Sequence, residues 1–390
     1  MNALIFYRNQ KIYFIFMKIG VNARFLLQGK LEGIGGYTLE ILKKMVAAHP
    51  EDEFIFFFDR PYAEEFLLGK NVTPVVLFLP ARHAVLWYLW FEWAIPYGLK
   101  KYKCDVFFSP DNYLSLRTKV PTVLVSHDVA FKQFPEGFSK TNIIYHEYFT
   151  GRFYEKAKKI LAVSEFTKED LIKYYNISAE KIAIAYNACK PIFKPLNTDN
   201  QTIVKEKYSN GKPYFFYVGA VHPRKNVHRL IAAFDIFKAK TNAEHKLLIA
   251  GRFAWQTGEV KSAYEAAKHK EDVVFLNYID NDSLVTLLAS AFALTYVSLF
   301  EGFGVPLIEA MNCDVPVITA NVSSMPEVAG EAGLCVTPTD VEAIADAMIS
   351  LYEKPDLRQN LIEKGRHQRE KFDWGKSAEI AYQALKESCV

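Results

Sequence analysis

Apolar residues along this chain fall into short blocks. KIGVNAR (18–24), DEFIFFF (52–58), PVVLFLP (74–80), CDVFFSPD (104–111), VPTVLVSHD (120–128) and KILAVSEF (159–166) form the first set. Several are apolar on both faces, as strands covered on both sides must be. Helical patterning fills most of the gaps, as in LLQGKLEGIGGYTLEILKKMVAAHP, where a glycine-bearing loop runs into an amphipathic helix. Strand alternating with helix predicts a parallel sheet with helices on both faces.

The rhythm breaks at AIAYNACKPIFKPLNTDNQ (183–201), which has two prolines and little periodicity and reads as a linker. It then restarts. PYFFYVGA (213–220), HKLLIAG (245–251), DVVFLNYI (272–279), FALTYVS (292–298), VPVITA (315–320) and GLCVTP (333–338) are strands, with helices between and after them. The expected architecture is α/β, with two doubly wound Rossmann-like units facing a central cleft. Residues 1–189 form the first unit and 190–372 the second. A final helix over 373–390 is long enough to cross back to the first. Ligands in such sheets bind beyond the carboxyl ends of the strands, so the cleft is the expected site.

A chain of 390 residues fits two such cores. Its 47 basic and 44 acidic residues leave a charge of +3, which gives no case for nucleic acid as a partner. The five cysteines show no CxxC spacing and read as reduced, buried thiols of a cytoplasmic protein. The N-terminal apolar run is broken by Arg8, Lys11 and Lys18. It is too short for a membrane span and has no cleavage site of a secretory signal. A natural first strand begins at Met17, so residues 1–16 read as an upstream extension.

Four stretches carry chemistry. In LFEGFGVPLIEA (299–310) a glycine-rich loop precedes a helix that starts near Val305. A helix start attracts phosphate, and Glu301 and Glu309 can accept hydrogen bonds from sugar hydroxyls. The plain alternatives are a solvated loop residue and an early-turn helix stabiliser. In GAVHPRKNVHRL (219–230), Arg224 and Lys225 follow the strand end at Gly219, and Asn226 is placed as N-cap of the next helix. The two cations suit a diphosphate, or form a solvated basic turn. In GKLEGIGGYTLEIL (29–42), Gly33, Gly35 and Gly36 open a helix without the GxGxxG dinucleotide fingerprint, which disfavours a nicotinamide dehydrogenase. In VSHDVAF (125–131), His127 stands just past a strand. It can bond a sugar hydroxyl, polarise a leaving group, or serve as a core histidine.

Together GIGGY, SHD, VSEFTKEDL, VGAVHPRKN, SLFEGFGVPLIEAMNCDVPVIT and SSMPEVAGEAGLCV resemble glycosyltransferase family 4, the retaining nucleotide-sugar enzymes of GT-B fold, from Met17 onward. The resemblance implies that Glu309 binds the donor ribose and that Glu301 lies at the donor sugar. It implies that Gly302, Phe303, Gly304 and Val305 meet the sugar and diphosphate through the backbone. Arg224 and Lys225 would neutralise the leaving diphosphate, and Gly35 and Gly36 would close over the phosphates. His127 falls at the sugar pocket and Tyr278 where the base is met. Gly219 ends the strand before the phosphate site. Many relatives have a basic residue where this chain has Gly36.

The family needs neither metal nor cofactor, and no DxD-type carboxylate pair follows a strand in the second half. Same-face attack of an acceptor hydroxyl is the implied mechanism, with catalytic roles for Glu301, His127, Arg224 and Lys225. The expected donor is GDP-mannose and the expected acceptor a saccharide or lipid-linked glycan of surface polysaccharide. UDP-sugar donors, or an epimerase or hydrolase of the same architecture, are the alternatives. In HAVLWYLWFEWAIPYGLKKYK (83–103), Trp87, Trp90 and Phe91 share a helical face that core packing explains first. Trp93 with Lys100, Lys101 and Lys103 raises contact with the inner membrane face as a further expectation.

Overall fold

A computed structural model of the chain describes residues 16–29, 31, 33–81, 84–252 and 258–389. The run ahead of Phe16 lies outside the described residues, as do Lys30 and Glu32 of the glycine loop. Seven strands build the first sheet: β1 Lys18–Asn22, β2 Glu53–Phe58, β3 Val72–Val76, β4 Val106–Ser109, β5 Thr122–Ser126, β6 Lys159–Ala162 and β7 Ile182–Ile184. Their order is β3-β2-β1-β4-β5-β6-β7, all parallel. Six strands build the second: β8 Tyr214–Val218, β9 Lys246–Ala250, β10 Val273–Asn277, β11 Ala293–Tyr296, β12 Val317–Ala320 and β13 Gly333–Val336. Their order is β10-β9-β8-β11-β12-β13, again all parallel. The two Rossmann-like sheets are those the strand blocks predict.

β2 shows why the apolar blocks are continuous. Phe54, Phe56 and Phe58 enter one core and Ile55 and Phe57 the other, because alternate side chains leave opposite faces of the sheet. The first of these cores runs without a break into the second sheet and the helix Trp374–Ser388. That helix lies against β4 to β7 and the helix Ile34–Ala48. Tyr382 donates to Asp52 Oδ2 at 2.8 Å, and Ser377 to the carbonyl of Tyr186 at 2.7 Å.

Three local expectations change. The stretch read as linker contributes β7 at its start and the helix Thr198–Ser209 at its end, because Ala183 and Ile184 pair with β6. The strand expected over 74–80 is displaced to β3, where Pro74 is tolerated at the sheet edge. Cys335 is exposed rather than buried, because it lies on the edge strand β13.

In both sheets the strand order reverses next to the first strand of the unit. These switch points lie between β1 and β4 and between β8 and β11. Crevices open there beyond the carboxyl ends.

Candidate active site

The second switch point gathers three of the residues singled out by sequence. Arg224 and Lys225 follow β8, and Glu301 follows β11. Lys225 Nζ donates to Glu301 Oε1 at 2.5 Å, and Arg224 Nη1 to Oε2 at 3.2 Å. Tyr296, at the end of β11, donates to Oε1 at 3.0 Å and accepts from Lys225 at 2.7 Å. Arg224 also donates to the carbonyl of Phe300. Glu301 is only 7% exposed, so it is neither solvated nor free. Burial alone would push its carboxyl up, but Lys225 and Arg224 bring it below the ordinary value. Two cations and one carboxylate leave this cluster itself with a surplus positive charge, and Asp128 of the facing wall acts on Arg224 as well. Tyr296 was not singled out by sequence; its hydroxyl completes the cluster, and burial raises it well above the usual phenol range.

The loop Gly302–Gly304 then leads into the helix Val305–Asn312. Gly304 sits at φ 99°, a left-handed conformation suited to glycine, and no side chain caps this helix start. Phe303 is buried, and Val305 opens the helix. Ser324 Oγ donates to the carbonyls of Glu301 and Phe303 at 2.9 Å, which fixes the loop.

Glu309 lies in the second turn of this helix, facing the linker around Lys190. No hydrogen bond or ion pair engages its carboxylate among the described residues. Burial raises it to about 7, and Lys190 offsets this only in part. The sign follows directly. A carboxyl raised in the folded state gives stability that is complete below the unfolded value near 4.5 and lost as pH rises through about 7. Glu309→Gln is therefore expected to stabilise the ligand-free protein at pH 8 by on the order of 1–3 kcal/mol. It should have little effect at pH 4. Denaturant melts at the two values check this, and equal shifts at both would overturn it.

Asn226 is not a capping side chain. It takes φ 61°, and its amide donates to the carbonyls of Val297 and Pro338, tying β11 to the segment after β13. Gly219 has φ 145°, and a Cβ on Gly251 would come within 1.9 Å of its carbonyl, so β8 and β9 are pinched together at their ends. Tyr278 is 57% exposed, with Arg252 over its ring at 5.4 Å. It follows β10, two strands away from β8 and so about 10 Å to the side.

The first switch point supplies the facing wall. His127 Nε2 lies 2.8 Å from the carbonyl of Pro110, and its backbone N–H donates to Asn112 Oδ1 at 2.8 Å. A carbonyl only accepts, so Nε2 carries the proton. Burial pulls the imidazole below its usual value. The neutral ring then has Nδ1 left as an acceptor. In this arrangement Nδ1 is the ring atom that can accept a hydrogen bond, while the Nε2 proton is engaged by the Pro110 carbonyl. Tyr37, from the GIGGY stretch, packs edge-on against His127 at 5.0 Å and against Trp374 at 5.7 Å.

The loop that holds His127 is itself anchored by residues that sequence reading passed over. Arg24 Nε pairs with Asp111 Oδ2 at 2.7 Å, both nearly fully buried. Asn22 donates to the same carboxylate at 2.9 Å. A buried Asp and Arg past adjacent strands were legible only as separate polar residues.

Gly35 and Gly36 stand at a helix opening, where the sequence puts them. Both lie buried in the first turn of the helix Ile34–Ala48, and a Cβ on Gly35 would meet the carbonyl of Phe25 at 2.6 Å. The left-handed glycine is Gly33, at φ 50°. The one close group of His and acidic side chains among the described residues, His49, Glu51 and Asp52, lies at the amino end of β2, away from the cleft.

The two walls touch. Ser164 Oγ donates to the carbonyl of Gly302 at 2.7 Å. Glu327 accepts from the backbone N–H groups of Glu165 and Phe166, capping a first-unit helix from the second unit. A Cβ on Gly302 would lie 2.0 Å from the carbonyl of His127.

Two facing Rossmann-like sheets with polar groups converging on the cleft between them define the GT-B class. Residues 31–191 match Glycosyltransferase Family 4, and residues 199–368 match Glycosyl transferases group 1. The chain belongs to this family, glycosyltransferase family 4 of group 1. It is 28% identical over 355 residues to O-antigen chain mannosyltransferase B of Escherichia coli, covering 88% of this chain and 93% of that one. It is 28% identical over 277 residues to O-antigen chain mannosyltransferase RfbU of Salmonella typhimurium, covering 70% and 72%. The solved structure of Anabaena Alr3699/HepE in complex with UDP and glucose shares the fold with a TM-score of 0.74 at 18% identity, covering 95% of this chain and all of that one.

Proposed function

We propose that this glycosyltransferase moves mannose from GDP-mannose, with retention, onto a saccharide or lipid-linked glycan acceptor in surface polysaccharide synthesis. The observation that carries the reading is the Arg224–Lys225–Glu301 cluster, whose surplus positive charge lies on the loop that leads into an uncapped helix start. That arrangement suits a diphosphate whose charge grows as it leaves. Glu309, whose carboxylate has no hydrogen bond or ion pair among the described residues, suits the ribose hydroxyls one turn further along the same helix. The ionised Glu301 is held by three donors and sits where it can stabilise positive charge developing on the sugar. The mannosyltransferase names of the two relatives support the choice of sugar.

Thermal melts with GDP, UDP, dTDP and ADP test it. GDP alone should raise the melting temperature of the native chain, and Glu309→Ala or Lys225→Ala should abolish the rise. A rise with UDP alone would replace the donor assignment by a UDP-sugar. No rise with any nucleotide would overturn the transferase site. Released GDP without a glycosylated product would favour the hydrolase or epimerase alternative.

A further inference from the structure

Two stretches that carry the family resemblance, VSEFTKEDL (163–171) and SSMPEVAGEAGLCV (323–336), hold none of the residues placed at the donor. The structure sets them against each other at the junction of the two units. The first opens the helix Glu165–Tyr175. A helix leaves its first N–H groups without partners in its own ladder. Ser164 Oγ takes that of Thr167 at 3.0 Å. The acceptor for the two before it comes from the other unit. Glu327 Oε1 accepts from Glu165 at 2.9 Å and Oε2 from Phe166 at 3.3 Å. No cation pairs with Glu327 among the described residues, so the positive end of this helix is what balances its charge.

Glu327 stands on a segment that also shapes the Glu301 loop. Ser323 Oγ accepts from the N–H of Glu301 at 3.1 Å, and Ser324 Oγ holds the carbonyls of Glu301 and Phe303. The short helix Met325–Ala329 follows, with Pro326 in its first turn. Gln368 Nε2 donates to the carbonyls of Glu327 and Val328, each at 3.1 Å. Ser323 to Glu327 is therefore one pinned piece, with the loop at one end and the carboxylate at the other. The loop also meets the same helix start directly. The carbonyl of Gly302 accepts from Ser164 and, at 3.3 Å, from the hydroxyl of Thr167. The ring of Phe300 touches Phe166 and Phe134 of the first unit, with centroids 5.7 Å from each. Burial, with Glu327 beside it, raises the phenol of Tyr186 on the segment joining the units.

We propose that Glu327 is a positioning residue for sugar transfer. It fastens the first unit to the segment that fixes Glu301, so that the wall bearing His127 and the loop bearing Glu301 keep one relative placement. His127 shares the junction, because the hydroxyl of Thr167 also reaches its carbonyl at 3.5 Å. Glu327 acts through the helix start and the Glu301 loop and contacts no substrate. The effect on transfer rests on the proposed transferase reading; the effect on how the two units pack does not.

Transfer kinetics, melts and solution scattering of Glu327→Ala and Glu327→Gln test the proposal. In Glu327→Ala the rate at saturating donor and acceptor should fall by about 10–10²-fold, the cost of misplacing reacting groups by up to about 1 Å. Its rise in melting temperature with GDP should match that of the native chain, because the donor groups of the second unit are untouched. Its radius of gyration should exceed the native value with and without nucleotide. Glu327→Gln keeps one accepting oxygen, so it should recover part of the rate and of the compactness. Three results would overturn the proposal. They are a native rate in Glu327→Ala, a native radius of gyration in the ligand-free Glu327→Ala chain, and loss of the nucleotide-induced rise in that variant, which would put Glu327 in the donor site. If no nucleotide stabilises even the native chain, the transferase reading fails, and the ligand-free scattering still decides whether Glu327 holds the units together.

Discussion

Lys225→Ala is expected to lower the rate of sugar transfer by about 10²–10³-fold and to erase the stabilisation by nucleoside diphosphate. Lys225 is the shortest contact to Glu301, at 2.5 Å, and supplies the charge that leaves the cluster positive. Without it, Arg224 and Glu301 cancel, and only the uncapped helix start at Val305 remains to attract the diphosphate. The ligand-free protein should lose less stability than the about 3–5 kcal/mol of a severed buried pair, because Arg224 and Tyr296 still hold the carboxylate. Glu301→Gln makes the contrast. It raises the net charge of the cluster, so nucleotide binding should persist while transfer falls by a similar factor. Released nucleotide followed by chromatography, beside melts with the diphosphate, reads both quantities. If Lys225→Ala binds nucleotide like the native chain, the cluster is structural and the diphosphate lies elsewhere.

Gly302→Ala should have the next largest effect, and for a different reason. The added Cβ would lie 2.0 Å from the carbonyl of His127 and 3.0 Å from Cβ of Asp128, both on the opposite wall of the cleft. Backbone cannot yield as a flexible side chain would, so the two units must part. Displacing a reacting group by about 1 Å costs on the order of 10²-fold, and transfer should fall at least that far. The radius of gyration in solution scattering should rise. Ser164→Ala relaxes the same junction mildly by removing the 2.7 Å bond to the Gly302 carbonyl. It also removes an N-cap worth about 1 kcal/mol, and its activity should fall only several-fold. An unchanged scattering profile with full activity in Gly302→Ala would show that the cleft does not depend on this contact.

Both experiments turn on pairs that no local reading of the chain reveals. Lys225 and Glu301 are 76 residues apart, and Ser164 and Gly302 are 138 apart. The sequence places each of them just past a strand, where a parallel sheet puts its ligands. It does not say that the carboxylate and the cations lie on one another. The same holds for the Arg24–Asp111 pair, which joins β1 to the loop holding His127. Gly35 is a further case: the sequence marks it as opening a helix, but not that its missing side chain lets that helix approach the carbonyl of Phe25.

What the sequence determined by itself was the two-unit architecture, the family and the order of the site's parts. These follow from local causes: apolar blocks that only a doubly covered sheet can bury, and motifs set at strand ends. What the tertiary structure alone decided was partnership and exposure. It decided which cations neutralise Glu301, which nitrogen of His127 carries the proton, and where the two walls touch. It also decided that a π-turn over Trp90–Ala94 sends Trp90 inward and Trp93 outward. Periodicity assumes a regular helix, and one inserted residue is enough to exchange the buried and exposed faces. Long-range contacts and such irregular turns are set by the packing of whole elements, which local sequence does not encode.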